Sequence, residues 1–148
     1  MMRISEKGLE AIKGFEGLRL ETYEDPAGVL TLGYGHTGST VRRGDRISEY
    51  WASELLKDDL ATVERQIETL ELKLTQGQAD ALISFTFNLG FERLKSSTLL
   101  KVIRRGGSMR QIKREFMRWV HAGGKRLKGL ERRRKWEADR FFENEEVW

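Results

Sequence analysis

The apolar positions change period along the chain, and each change marks an element. Leu9, Ile12 and Phe15, with Ala11, fall on one helical stripe. Ser5 precedes that stripe as an N-cap, Ile4 and Leu9 are placed as a hydrophobic staple, and Gly17 stops the helix. From Leu18 to Val41 the pattern turns extended. Leu18 to Tyr23 alternates, Asp25-Pro26-Ala27-Gly28 supplies a turn, and Val29 to Leu32 resumes the strand. Gly33, Gly35, Gly38 and Gly44 punctuate the stretch beyond Leu32. The segment as a whole predicts a small antiparallel sheet of two or three short strands.

Everything after Ser48 reads helical. Trp51, Leu55, Leu56, Leu60, Val63, Ile67 and Leu70 predict a helix of about 20 residues capped by Ser48, and the same spacing predicts that Trp51 packs inward. Thr75 and Gln78 form a capping box ahead of a helix ending at Gly90, and Ser97 starts a short helix ended by Gly106-Gly107. Ser108 and Gln111 form a second box, ahead of Ile112, Phe116, Trp119 and Val120, which Gly123-Gly124 closes. A basic helix is expected from Gly129 to Phe142, with a frayed tail after it holding Glu143, Glu145, Glu146 and Trp148. Trp119 and Trp136 are expected in packing roles. The expected architecture is α+β and mostly helical, in one domain: a small lobe over 1–47 with a short antiparallel sheet, a connecting helix over 48–74, and an all-α lobe over 75–148.

Composition narrows the chemistry. The 148 residues include no cysteine, which excludes disulfide scaffolds, thiolate metal sites and cysteine nucleophiles. The two histidines, His36 and His121, stand far apart in sequence and read as structural residues, so neither a metal nor another cofactor is expected. Phosphate-binding Gly-rich loops and nucleophile elbows are absent as motifs. The longest charge-free apolar run, Ala81 to Phe91, is far short of the roughly 20 residues a membrane span needs. The first 14 residues are too charged for a signal-peptide core.

Charge is uneven: residues 1–74 carry net −4 and residues 75–148 net +8. A basic half points to a polyanionic partner. Arg132-Arg133-Arg134-Lys135 reads as a solvated helix face that could attract an anionic membrane or wall polymer. No nucleic-acid partner is expected, because the acidic half and the Gly-rich sheet serve no such module.

Carboxylates remain as the candidate chemistry. Glu16 ends the first helix, where the dipole disfavours a negative charge. Asp25 opens the hairpin turn nine positions later, and Thr31 lies on the returning strand. Turns at Gly17 and at Pro26 to Gly28 can gather the three side chains. Two carboxyl groups in unlike environments, with a hydroxyl nearby, suit glycoside hydrolysis: one stays protonated to donate to the leaving oxygen, the other ionised.

The wording around these residues is more specific. Gly14-Phe15-Glu16-Gly17, Asp25, Thr31 and Leu32-Gly33-Tyr34-Gly35-His36-Thr37 resemble the phage-type lysozymes, or endolysins, of glycoside hydrolase family 24. Phe85-Thr86-Phe87-Asn88-Leu89-Gly90, Ser97-Thr98-Leu99-Leu100 and the run from Arg118-Trp119-Val120 through Gly129-Leu130 to Arg132-Arg133-Arg134 extend the resemblance over nearly the whole chain. It implies a lysozyme-like fold and hydrolysis of the β-1,4 bond between N-acetylmuramic acid and N-acetylglucosamine in bacterial peptidoglycan, in the service of host cell lysis. It implies Glu16 as general acid and Asp25 with Thr31 orienting the attacking water, with inversion. Asn88 lies in one of these motifs, where it is expected either to hydrogen-bond substrate or to serve a structural role. The expected protein is a monomer without cofactor, made in the bacterial cytoplasm without signal or anchor and admitted to the wall by a separate pore-forming protein.

Overall fold

In a computed structural model of the chain, residues 2–143 are described, so Glu145, Glu146 and Trp148 lie outside them. The described residues form seven helices and two small hairpins, in the order α1 (Glu6–Glu16), β1 (Arg19–Glu24), β2 (Leu30–Gly33), α2 (Glu49–Glu68), α3 (Gln76–Leu89), α4 (Phe91–Ser96), α5 (Thr98–Arg104), α6 (Met109–Phe116), β3 (His121–Ala122), β4 (Lys125–Arg126) and α7 (Lys128–Phe141). The chain divides into two compact units, one of Leu9–Thr62 and one of residues 2–8 with the chain from Val63 onward. The division falls inside α1 and inside α2 rather than in a loop.

In the Leu9–Thr62 unit, β1 and β2 pair antiparallel, with Tyr23 opposite Thr31, Glu24 opposite Leu30 and an irregularity between Arg19 and Tyr23. Leu9, Ile12, Leu32, Tyr34, Val41, Ala52, Leu56 and Leu60 are buried. The buried register of α2 runs through Ala52, Leu56, Leu60, Val63 and Ile67, which is a 3.6-residue period. Trp51 stands one position off that register, about 100° around the helix. It is 62% exposed and packs edge-on against the equally exposed Tyr50, contrary to the inward position its spacing predicts.

In the other unit, α3 is the central helix, buried from Ala79 to Thr86. Thr75 and Gln78 close its capping box as expected, and Ser108 with Gln111 does the same for α6. α7 packs against α3. The approach is so close at Gly77 that a Cβ there would lie 2.4 Å from the Arg140 carbonyl oxygen. Phe85 meets Phe116 and Trp119 edge-on at 5.9 and 5.6 Å, and Phe116 meets Phe141 at 5.8 Å. Asp80, fully buried, accepts from Ser5 N, Gln76 Nε2 and both Arg140 Nε and Nη2, and so ties the capped start of α1 to α3 and α7.

This unit departs from the all-helical expectation at β3 and β4. Gly123 and Gly124 do not end a helix; α6 is already capped at Met117. Their φ values of 58° and 76° make the two-residue turn between the short strands. Both central positions of such a turn need positive φ, which two glycines supply without strain. The pattern also predicts no element between Gly90 and Ser97, yet α4 fills that stretch. Among the described residues, no helix is long and apolar enough to cross a membrane.

Candidate active site

Glu16 is the last residue of α1 and half-buried. Gly17, with φ 72°, ends the helix while its N–H still bonds the Lys13 carbonyl at 3.0 Å. A residue with a side chain is disfavoured in that conformation, so the glycine allows the chain to leave the helix directly after the carboxylate. Gly35 lies against the acid: a Cβ there would stand 3.0 Å from Glu16 Oε1. Gly35 sits in a tight loop closed by reciprocal backbone bonds between Leu32 and His36, of 2.9 and 2.8 Å. The same loop is fastened to α2 through His36, whose Nδ1 lies 2.9 and 3.1 Å from the two oxygens of Asp59. His36 is therefore the structural histidine expected of it, and what it holds is the loop facing Glu16.

Asp25 organises the β1–β2 turn. Its Oδ1 accepts from the N–H groups of Ala27 and Val29, at 2.9 and 2.8 Å, and its own N–H bonds the Val29 carbonyl. Among the described residues no donor reaches Oδ2, which leaves one carboxylate oxygen for a ligand or water. Thr31 is buried, and its hydroxyl donates to the Val29 carbonyl at 3.1 Å. The donation fixes the rotor and leaves the oxygen lone pairs as acceptors. Asp25 and Thr31 are thus joined through one residue, Val29. Thr31 stands two strand residues, about 6.6 Å, from Gly33, with Gly35 two residues further on. The hairpin carries the second carboxylate and the hydroxyl at its turn and receives Glu16 where β2 leaves the sheet. Neither the place of Gly35 against Glu16 nor that of Asp59 against His36 can be read from the sequence. The glycine reads there as turn punctuation, and nothing distinguishes one aspartate among the acidic residues of α2.

In the other unit, Asn88 is half-buried near the end of α3, and its Oδ1 accepts from Arg134 Nη2 at 2.8 Å. A guanidinium only donates, so the amide NH₂ of Asn88 must face away from Arg134. Arg134 has no exposed side-chain surface: its Nε is 2.7 Å from Glu137 Oε1, and its guanidinium lies 5.2 Å from the centre of the Phe85 ring. Glu137 also accepts from Ser84 Oγ at 2.6 Å, and Arg133 donates to the Ser84 hydroxyl and carbonyl. Burial pushes the Glu137 carboxyl up and the Arg134 guanidinium down, each against the attraction of the other's charge.

These contacts correct the reading of Arg132 to Lys135 as a solvated cationic face: Arg133 and Arg134 are 4% and 0% exposed. The basic run of α7 is half interior, so it cannot offer an unbroken row of charge to a membrane or wall polymer. A cavity of about 310 Å³ in this unit is lined by Ser96, Ser97, Thr98, Glu115, Arg118 and Trp119. A larger one, of about 520 Å³ between Leu70 and Phe142, holds none of the candidate residues. Among the described residues no group of three or more histidine and carboxylate side chains is placed to hold a metal ion.

The chain thus carries, in order, a helix ending on a glutamate, a hairpin with an aspartate at its turn, and a helical unit. The profile described as phage lysozyme matches residues 13–137, and the chain belongs to that family. It is 44% identical over 145 residues to an endolysin of Acyrthosiphon pisum secondary endosymbiont phage 1, covering 95% of this chain and 98% of the relative. It is 42% identical to an endolysin of Bacillus phage B103, covering 97% of this chain but only 56% of that longer protein. Among solved structures, the muramidase domain of SpmX from Asticaccaulis excentricus superposes with a TM-score of 0.88 at 36% identity, covering 97% of this chain and 100% of the domain.

Proposed function

We propose that the chain is an endolysin that hydrolyses the β-1,4 bond between N-acetylmuramic acid and N-acetylglucosamine in bacterial peptidoglycan, by inversion at the anomeric carbon. Glu16 is the general acid that protonates the leaving oxygen. Asp25 and Thr31 orient a water for attack on the opposite face of the sugar, the aspartate through Oδ2 and the threonine as an acceptor. Asn88 offers its outward amide donor to a carbonyl or hydroxyl of the glycan. The observation that carries these roles is the division of labour in the hairpin. One oxygen of Asp25 and the hydroxyl hydrogen of Thr31 are consumed by Val29, and the acceptors left on both suit a small polar molecule.

Turbidity loss of purified peptidoglycan tests the reading with the wild type beside Glu16→Gln. The amide keeps the shape of the side chain but cannot donate as a carboxylic acid does. A positioned acid contributes about 10²–10⁴-fold, so activity should fall by at least about 10² while the melting curve stays put. A folded variant with near-wild-type activity would remove Glu16 from the mechanism.

A further inference from the structure

Arg133 and Arg134 are interior, so the positive charge that the C-terminal half shows to solvent comes from other residues, among them Lys125, Lys128 and Arg132 and a second group on α5 and α6. Residues 101–118 carry seven lysines and arginines and one acid, Glu115. α5 turns Leu99, Leu100 and Val102 inward and α6 turns Ile112 and Phe116 inward, which leaves their cations on the opposite faces. Three of those cations are engaged: Arg104 donates to the Leu70 carbonyl, Lys113 pairs with Asp139, and Arg118 pairs with Glu115. Lys101, Arg105, Arg110 and Arg114 are exposed, and among the described residues none has an acidic partner. They form two pairs spaced four residues apart, Lys101 with Arg105 and Arg110 with Arg114. Arg110 and Arg114 stand about 5–6 Å apart at Cβ along one side of α6, and Lys101 stands four residues before Arg105, the residue that caps α5. The two helices pack on one another, which makes the pairs neighbours in the fold.

We propose that this α5–α6 face is a docking surface for an anionic glycan polymer of the cell wall, bearing carboxylate or phosphate groups, and holds the enzyme on its substrate between cleavages. The inference rests on the wall-hydrolase reading above and gives that enzyme a second, non-catalytic contact. Charge complementarity selects the partner: four unpaired cations face a polyanion, and the attraction raises the local encounter rate. A lipid surface fits less well. An interfacial helix buries an apolar face, and over residues 101–118, all of them described, Met109 is the one large apolar side chain exposed.

The test replaces Lys101, Arg105, Arg110 and Arg114 with Gln and compares that variant with one in which Arg42, Arg43, Arg46 and Lys57 become Gln. Both lose four positive charges. Sedimentation with purified walls is measured in a Glu16→Gln background, so that binding is read without digestion, over about 0.05 to 0.5 M salt. The α5–α6 variant should bind on the order of tenfold more weakly at low salt and converge with the parent at high salt. The Arg42 set should stay within about twofold of the parent, since Arg43, Arg46 and Lys57 are already paired with Glu24, Glu21 and Glu54. With Glu16 restored, cleavage of a short neutral oligosaccharide by the α5–α6 variant should match the wild type. Unchanged wall binding, an equal loss in the Arg42 set, an equal loss on the oligosaccharide, or tighter parental binding to phosphatidylglycerol vesicles or duplex DNA than to walls would each overturn the proposal. Activity that survives Glu16→Gln would instead remove the catalytic assignment and leave the binding result standing.

Discussion

Gly35 offers a test of the acid's surroundings that leaves the acid itself in place. In Gly35→Ala the new Cβ meets two separate obstacles. The backbone φ of 82° disfavours any L side chain, at a cost of about 1–2 kcal/mol. The Cβ would also stand 3.0 Å from Glu16 Oε1, well inside the roughly 3.5 Å of an ordinary contact. The loop cannot simply retreat, because Leu32 and His36 close it and Asp59 holds His36. The carboxyl must therefore move by several tenths of an ångström. Misplacement by 1 Å can cost about 10² in rate, so a loss on the order of tenfold is expected here. Gly44→Ala is the matched control: its φ is 83° in the same unit, and a Cβ there meets nothing within 4 Å. Urea denaturation should show similar destabilisation in both variants. Turbidity assays should show the activity loss in Gly35→Ala alone. Equal specific activity in the two would mean that Gly35 is needed only for its backbone, and the contact with Glu16 would carry no catalytic weight.

Glu137→Gln leaves Arg134 buried without its counter-charge and should lower stability by about 3–5 kcal/mol in urea denaturation; a loss under about 1 kcal/mol would mean the pair is dispensable to the fold. Proton NMR of the first-formed reducing end, read before mutarotation, should show the α anomer from the β-linked substrate; a β anomer appearing first would mean retention and would end the water-holding role of Thr31.

Most of the fold is legible in the sequence because its signals are local. Capping boxes at Thr75 and Ser108 involve residues three apart, and both close in the structure as read. The hairpin is legible because Asp25, Pro26 and Gly28 are turn residues whose chemistry acts within four positions. The features that escape depend on register or on distant partners. Trp51 satisfies a helical spacing as well as its neighbours do, yet the helix buries the line through Ala52, and no count of apolar residues distinguishes two lines one position apart. Gly123-Gly124 is equally suited to ending a helix or turning a hairpin, and here α6 stops at Met117 before the glycines are reached. Gly35 needs the far end of α1 beside it before its lack of a side chain can be read as room for a carboxylate.

The arginines of α7 show the same limit in electrostatic terms. A run of four cations is costly to bury unless each guanidinium finds an anion and enough acceptors, so the default reading of such a run is solvent. What reverses it is Glu137, three residues beyond Arg134 and four beyond Arg133, on one side of the helix. Ser84 and Asn88, one turn apart on α3, supply further acceptors from across the packing interface. The first partner is visible in the sequence as an i,i+3 and i,i+4 carboxylate; the others lie 46 to 49 positions away and become visible only when α3 and α7 are packed. Net charge therefore survives folding as a sum but not as a map. The +8 of the C-terminal half is real, yet part of it is held inside, fastening α7 to α3 and fixing the amide of Asn88. Some of what is left to meet an anionic wall is on α5 and α6, where no carboxylate stands at the matching spacing to neutralise Lys101, Arg105, Arg110 or Arg114.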